Sequence, residues 1–223
     1  WGWGFVITCC YAHTTYRSSL MDKPFPINWG ETQPLSCLRR KACLSGGRMS
    51  EDSTPAQTAQ AVEDARRRRV RGLIQLLESH YLDERWKAAE ALGPIGDASA
   101  VQPLISALND PFVDVSWLAA KSLGQIGDGR AFDPLIKALQ SSEKWLRIGA
   151  AVGLGKLGDI RALPALIDAM KDEKALVRKH CAWALGRLGG ESAIEALQAA
   201  MNDPDSRVRE AAAEALARLS KNP

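Results

Sequence analysis

Ser122–Leu135 reads SLGQIGDGRAFDPL, with glycines at 124, 127 and 129 where a helical pattern stops. So dense a set of glycines raises a phosphate-binding loop as one reading, because backbone N–H groups can close on an anion where no side chain intervenes. Such a loop needs a strand before it and a helix after it. The residues before Gly124 place Val115, Ala119, Leu123 and Ile126 on one helical face instead. After the glycines, Arg130 and Ala131 stand where a phosphate loop carries Lys-Ser or Lys-Thr, and Pro134 opens a second apolar run as proline does at a helix start. The stretch reads as a joint between two helices.

The joint recurs. ALGPIGD ends at Asp97, SLGQIGD at Asp128, GLGKLGD at Asp159 and ALGRLGG at Gly190, a spacing of 31 residues each time. A fixed period of this size is the signature of a solenoid, in which each unit buries its apolar face only against its neighbours. The expected fold is therefore all-α: an α-solenoid of about five two-helix units with a 31-residue period.

Aligned on that period, the columns assign themselves. Leu73, Leu104, Leu135, Leu166 and Leu197, with Leu77, Leu108, Leu139, Met170 and Met201 one turn further on, mark the buried face of each first helix. Ala88, Ala119, Ala150, Cys181 and Ala212, followed by the Leu92 and Ile95 columns, mark the stripe of each second helix. Asp110-Pro111 and Asp203-Pro204 punctuate the turn between the two. Gly96, Gly127, Gly158 and Gly189 stand where second helices end, a position that favours left-handed backbone. Gly93, Gly124, Gly155 and Gly186 lie inside the helices, where glycine costs roughly 0.8–1.0 kcal/mol against alanine, which predicts close approach of a neighbouring backbone.

The phrases DPFVDVSWLAAKSLGQIGDGRAFDPLIKAL and DEKALVRKHCAWALGRLGG resemble the short HEAT-like repeats named after phycobilisome lyases, over about Ala61 to Ser220. The resemblance implies an interaction scaffold, and its lyase members attach tetrapyrroles to partner proteins. Deoxyhypusine hydroxylase, built from similar repeats, resembles a di-iron enzyme with His-Glu pairs at the start of its second helices. Here those places read His180-Cys181, Lys87-Ala88, Leu118-Ala119, Gly149-Ala150 and Glu210-Ala211, so the ligand set is missing. No metal and no cofactor are expected, and His180 reads as an ordinary helix residue.

Charge divides the chain. From Met49 onward there are 23 Lys and Arg against 24 Asp and Glu, whereas residues 1–48 hold 6 basic and 2 acidic ones. A nearly neutral array argues against a general nucleic-acid scaffold, which would carry a basic stripe. The run Arg66–Arg69 reads as the polar outer face of the first helix, which no preceding unit covers. Residues 1–48 have no repeat phase and hold Cys9, Cys10, Cys37 and Cys43, without a CxxC pair that would suggest zinc. The opening WGWGFVITCCYA is too short to span a bilayer. The expectation is that residues 1–48 are non-native or disordered, that Met49 is the natural start, that residues 49–60 form a polar leader, and that residues 61–223 form the repeat domain. Cys181 is then a lone buried thiol, in keeping with a cytoplasmic protein.

Function is expected where the second helices turn away from their stripe. At 100° per residue the opposite positions give two rows, Trp86, Trp117, Ile148, Lys179, Glu210 and Glu90, Lys121, Val152, Trp183, Glu214. A solvated face should be mostly charged, so three tryptophans with Ile148 and Val152 between them predict a partner-binding surface, with Glu90, Lys121 and Lys179 as its polar rim. Arg85, Arg147, Arg178 and Arg209 form a further column, interrupted by Ser116, and are expected to pair with Asp97, Asp128 and Asp159 as an inter-repeat ladder. The expected function is a monomeric, non-enzymatic scaffold that grips a protein or peptide segment, not a membrane or nucleic acid. The alternative is a lyase-like protein that binds a tetrapyrrole or other small ligand.

Overall fold

A computed structural model describes residues 55–221. The expectations for residues 1–48 and for the head of the polar leader lie outside these residues. Within them the backbone forms ten α-helices in five pairs and no strand: α1 (Pro55–Leu76) with α2 (Leu82–Ile95), α3 (Val101–Ala107) with α4 (Val113–Ile126), α5 (Phe132–Leu139) with α6 (Lys144–Leu157), α7 (Leu163–Ala169) with α8 (Ala175–Leu188), and α9 (Glu191–Ala200) with α10 (Ser206–Lys221). The first helix begins ahead of the expected Ala61, because residues 56–61 read AQTAQA, a run that favours helix.

The joints follow from two residue types. Gly96, Gly127 and Gly158 end α2, α4 and α6 with φ of 69°, 76° and 78°, backbone that residues with a Cβ avoid. The aspartate that follows each glycine then accepts from the N–H two residues on, at 2.9 Å for Asp97–Ser99, Asp128–Arg130 and Asp159–Arg161, and so starts the 3-10 turn that leads into the next helix. Asp128 is held at a pKa of about 2, mainly by the Arg130 side chain. SLGQIGDGR therefore closes on its own carboxylate, which leaves no room for the phosphate reading. At the fourth joint Gly190 replaces the aspartate, and α9 starts directly after the Gly189-Gly190 turn.

The second helices touch in sequence, α2 to α4 to α6 to α8 to α10, and the first helices pack on one side of that layer. Leu104, Leu135, Leu166 and Leu197 from the first helices and Ala88, Ala119, Ala150, Cys181 and Ala212 from the second are all fully buried between the layers, as the columns predict. The interior glycines set how closely the second helices approach. A Cβ on Gly124 would come to 2.5 Å from the Gly153 Cα, and one on Gly153 would come to 2.5 Å from the Ala120 carbonyl oxygen. The backbones of α4 and α6 are in direct contact there.

An arginine ladder ties each turn to the next, but not to the aspartates expected. Arg85, Arg147 and Arg178 each place Nε 2.7 Å from the carboxylate of Asp110, Asp172 and Asp203. Each also donates through Nη1 to a carbonyl of its own turn, Ser79, Ser141 or Asp172. Asp97, Asp128 and Asp159 are unavailable for this role because they cap the joints at the other end of the second helices. The true partners lie 25 residues after each arginine, and they already fold their own turns by accepting the N–H of Phe112, Lys174 and Asp205. Where the column carries Ser116 in place of arginine, the partner position carries Ser141 in place of aspartate, so arginine and carboxylate are missing together. Arg209 spends its guanidinium on the carbonyls of Asp203 and Pro204.

Two stability predictions follow from these contacts. Gly124→Ala should lower the unfolding free energy by about 2 kcal/mol through overpacking, whereas Gly72→Ala, in α1 with nothing within 4 Å of the added Cβ, should raise it by up to about 1 kcal/mol; urea titration followed by circular dichroism separates the two. The Arg178 hydrogen bond holds the Asp203 carboxyl below its ordinary pKa, so its contribution is present above the unfolded carboxylate value and is lost as pH falls through the folded one. Asp203→Asn should cost about 2 kcal/mol at neutral pH, with the deficit closing as the pH falls below the ordinary carboxylate range in the same titration.

Candidate interaction surface

The side of the second helices turned away from the first helices carries one tryptophan on each of α2, α4, α6 and α8: Trp86, Trp117, Trp145 and Trp183. Trp86 and Trp145 are 38% and 39% exposed, while Trp117 and Trp183 are half-buried. Small residues on the neighbouring helix explain that difference. A Cβ on Gly149 would meet the Trp117 Cδ1 at 3.0 Å, and one on Gly155 would meet the Trp183 ring at 2.9 Å, so each of these indoles packs on a bare stretch of α6. The Trp117 indole N–H is buried without a hydrogen-bond acceptor, the one such side-chain atom among the described residues. Leaving a buried donor unmet costs about 1–3 kcal/mol.

Two of the expected surface residues are not on the surface. Ile148 and Val152 are each 2% exposed, within a run from Ile148 to Gly155 that is buried throughout. Glycines at 149, 153 and 155 draw α4 and α8 onto both flanks of α6, and the neighbours cover the face that helical periodicity alone would leave open. The central helix contributes its ends instead. Trp145, three residues before Ile148, and Lys156, four residues after Val152, continue the same face. The row count passed over both, and the signal that would have found Trp145 is the recurrence of one tryptophan per second helix.

Of the other expected residues, Glu90 is exposed, and Lys121 and Lys179 are half-buried. Among the described residues, cations accompany three of the four rings. The Lys121 Nζ lies 5.4 Å from the Trp117 ring centre, the Lys144 Nζ 5.2 Å from that of Trp145, and the Arg187 guanidinium 5.4 Å from that of Trp183. Arg187 also donates from Nε to the Gly155 carbonyl at 2.9 Å, which fixes it across the α6–α8 seam. The Lys156 ammonium has its pKa lowered, first by burial and then by the charges of Lys121 and Arg187.

Burial pushes the Cys181 thiol up to about 12, so it stays protonated. Burial lowers the pKa of His180, and its Nδ1 lies 2.7 Å from the Leu176 carbonyl, a bond that the neutral ring makes by donating to it. Among the described residues no group of three histidine, cysteine or carboxylate side chains is placed to hold a metal ion, and no helix is long and apolar enough to cross a membrane. Arg66–Arg69 are exposed on α1, where Arg66 donates to the Ile95 carbonyl at 2.9 Å and ties the first helix to the end of the second.

With the paired helices, the 31-residue period and the glycine-set stacking in place, the model of HEAT repeats matches residues 70–147 and 132–217. The chain belongs to the HEAT repeat family. The HEAT array is similar to a chain in the complex of CpcE and CpcF of phycocyanin lyase from Nostoc sp. PCC7120, at 31% identity and a TM-score of 0.58, over 68% of this chain. It spans 65% of the length of that lyase chain. A designed armadillo repeat protein in complex with the peptide (KR)4 is similar in fold, at 18% identity and a TM-score of 0.52, over 74% of this chain and 86% of that one. No curated protein matches the chain in sequence.

Proposed function

We propose that the HEAT array is a protein-binding scaffold that holds a peptide segment or partner helix against the outer face of its second helices. The observation that carries this reading is the set of four tryptophans, one per consecutive helix, on a face where a solvated surface would be charged. Tryptophan is enriched among residues that dominate binding energy, and apolar surface rimmed by charge is typical of interaction sites. Trp86, Trp117, Trp145 and Trp183 are the anchors, and Glu90, Lys121 and Lys179 form the rim. Ile148 and Val152 act beneath the surface by holding α6 in place, not by touching the partner.

A second reading is supported by the likeness to the phycocyanin lyase chain. On that reading the same aromatic face takes a tetrapyrrole or another flat ligand, with the lysines and arginine toward its acidic groups. Absorbance spectra after incubation with linear and cyclic tetrapyrroles separate the two readings.

The test uses the tryptophans that do not support the fold. Trp86→Ala together with Trp145→Ala should abolish capture of partners identified by mass spectrometry from the native source, with far-UV circular dichroism unchanged. Retained capture by the double variant would remove this face from consideration.

A further inference from the structure

Six arginines of the repeats are neutralised by aspartates. Arg85, Arg147 and Arg178 pair with aspartates across the repeats, and Arg130, Arg161 and Arg207 pair with aspartates in their own loops. The outer face of the second helices departs from this pattern. Lys156, Lys179 and Arg187 make no ion pair with a carboxylate among the described residues, although they sit on two adjacent helices and Arg187 is fixed in place by the Gly155 carbonyl. Lys121 on α4 extends the same positive field, as its influence on Lys156 indicates. Positive charge thus runs across α4, α6 and α8, interleaved with Trp117 and Trp183, in an array that is formally −1 from Met49 onward.

Resting on the binding-surface reading above, we infer that the partner is an acidic peptide segment lying across α4, α6 and α8, with carboxylates at about every third residue. The spacing follows from the architecture. Packed helices stand about 8–10 Å apart, and an extended chain advances about 3.3 Å per residue, so successive helices meet residues about three apart. Carboxylates at that interval reach Lys121, Lys156 and Arg187 in turn, and apolar residues between them meet the exposed edges of the half-buried Trp117 and Trp183. A single-stranded nucleic acid fits less well. Each of these rings already has a cation over it at 5.4 Å, which takes up a stacking face, and Glu90, Glu210 and Glu214 at the two ends of the surface repel a continuing phosphate backbone.

The full chain is titrated with a fluorescein-labelled nonapeptide carrying glutamate at every third position among alanine and leucine, with its glutamine counterpart, and with a labelled oligouridylate. The glutamate peptide should bind at least about tenfold more tightly than the glutamine one, and raising the salt from about 0.05 M to about 0.3 M should weaken it several-fold. Lys156→Glu with Lys179→Glu should reduce its affinity at least about tenfold with thermal melting unchanged, while Lys137→Glu, on α5 of the first-helix layer, should leave it as it was. Equal affinity for the two peptides, indifference to the charge reversals, or tighter binding of the oligouridylate would each overturn the inference. Loss of partner capture in the Trp86 and Trp145 double variant, together with no preference for the glutamate peptide, would overturn the acidic occupant and leave the binding face standing.

Discussion

The bare backbone contact between consecutive second helices governs this molecule. Where Gly124 and Gly153 face each other no side chain stands between α4 and α6, so the helices approach to the limit that main-chain atoms allow. A solenoid of this kind has no central core to enforce its geometry, and each unit is aligned only by its neighbours. The interior glycines therefore do what a large hydrophobic core does elsewhere. Their unfavourable helix propensity of roughly 1 kcal/mol each is offset by dispersion contacts along the seam and by the leucine and alanine columns that the seam brings into register.

The same constraint decides what the outer face presents. Pulling α4 and α8 onto α6 buries Ile148 and Val152 and makes level seats for Trp117 and Trp183, while Trp86 and Trp145 project further into solvent. Aromatic anchors on such seats lose little conformational freedom on binding, because packing has already restricted their rotamers. Binding surface and stacking contact are thus two sides of one glycine pattern.

Periodicity made the fold legible from the chain alone. The buried columns, the helix-ending glycines and the position of the joints all follow from residues that recur every 31 positions, and local physics acts on them in the same way each time. Two features were not legible for the same reason, that they depend on which neighbour a residue meets. The arginine column is visible in the sequence, but its partners are not the joint aspartates that the recurrence suggests, since a sequence does not display that second helices begin beside the following unit's turn. The burial of Ile148 and Val152 was hidden because a helical wheel treats each helix as alone, whereas glycines on α6 let its neighbours close over them. Trp145 fell outside the columns for a simpler reason: it sits one turn from the row that Trp86 and Trp117 define.

The paired absence of arginine and aspartate at Ser116 and Ser141 has a consequence for how the array comes apart. The junction bridged by Arg178–Asp203 depends on a carboxylate that its arginine holds ionised. The junction between the second and third units instead holds by glycine contact and by Trp117 lying on Gly149, neither of which titrates. In acid the Arg178–Asp203 bridge is lost, whereas the packing between the second and third units has no carboxylate of this ladder to lose.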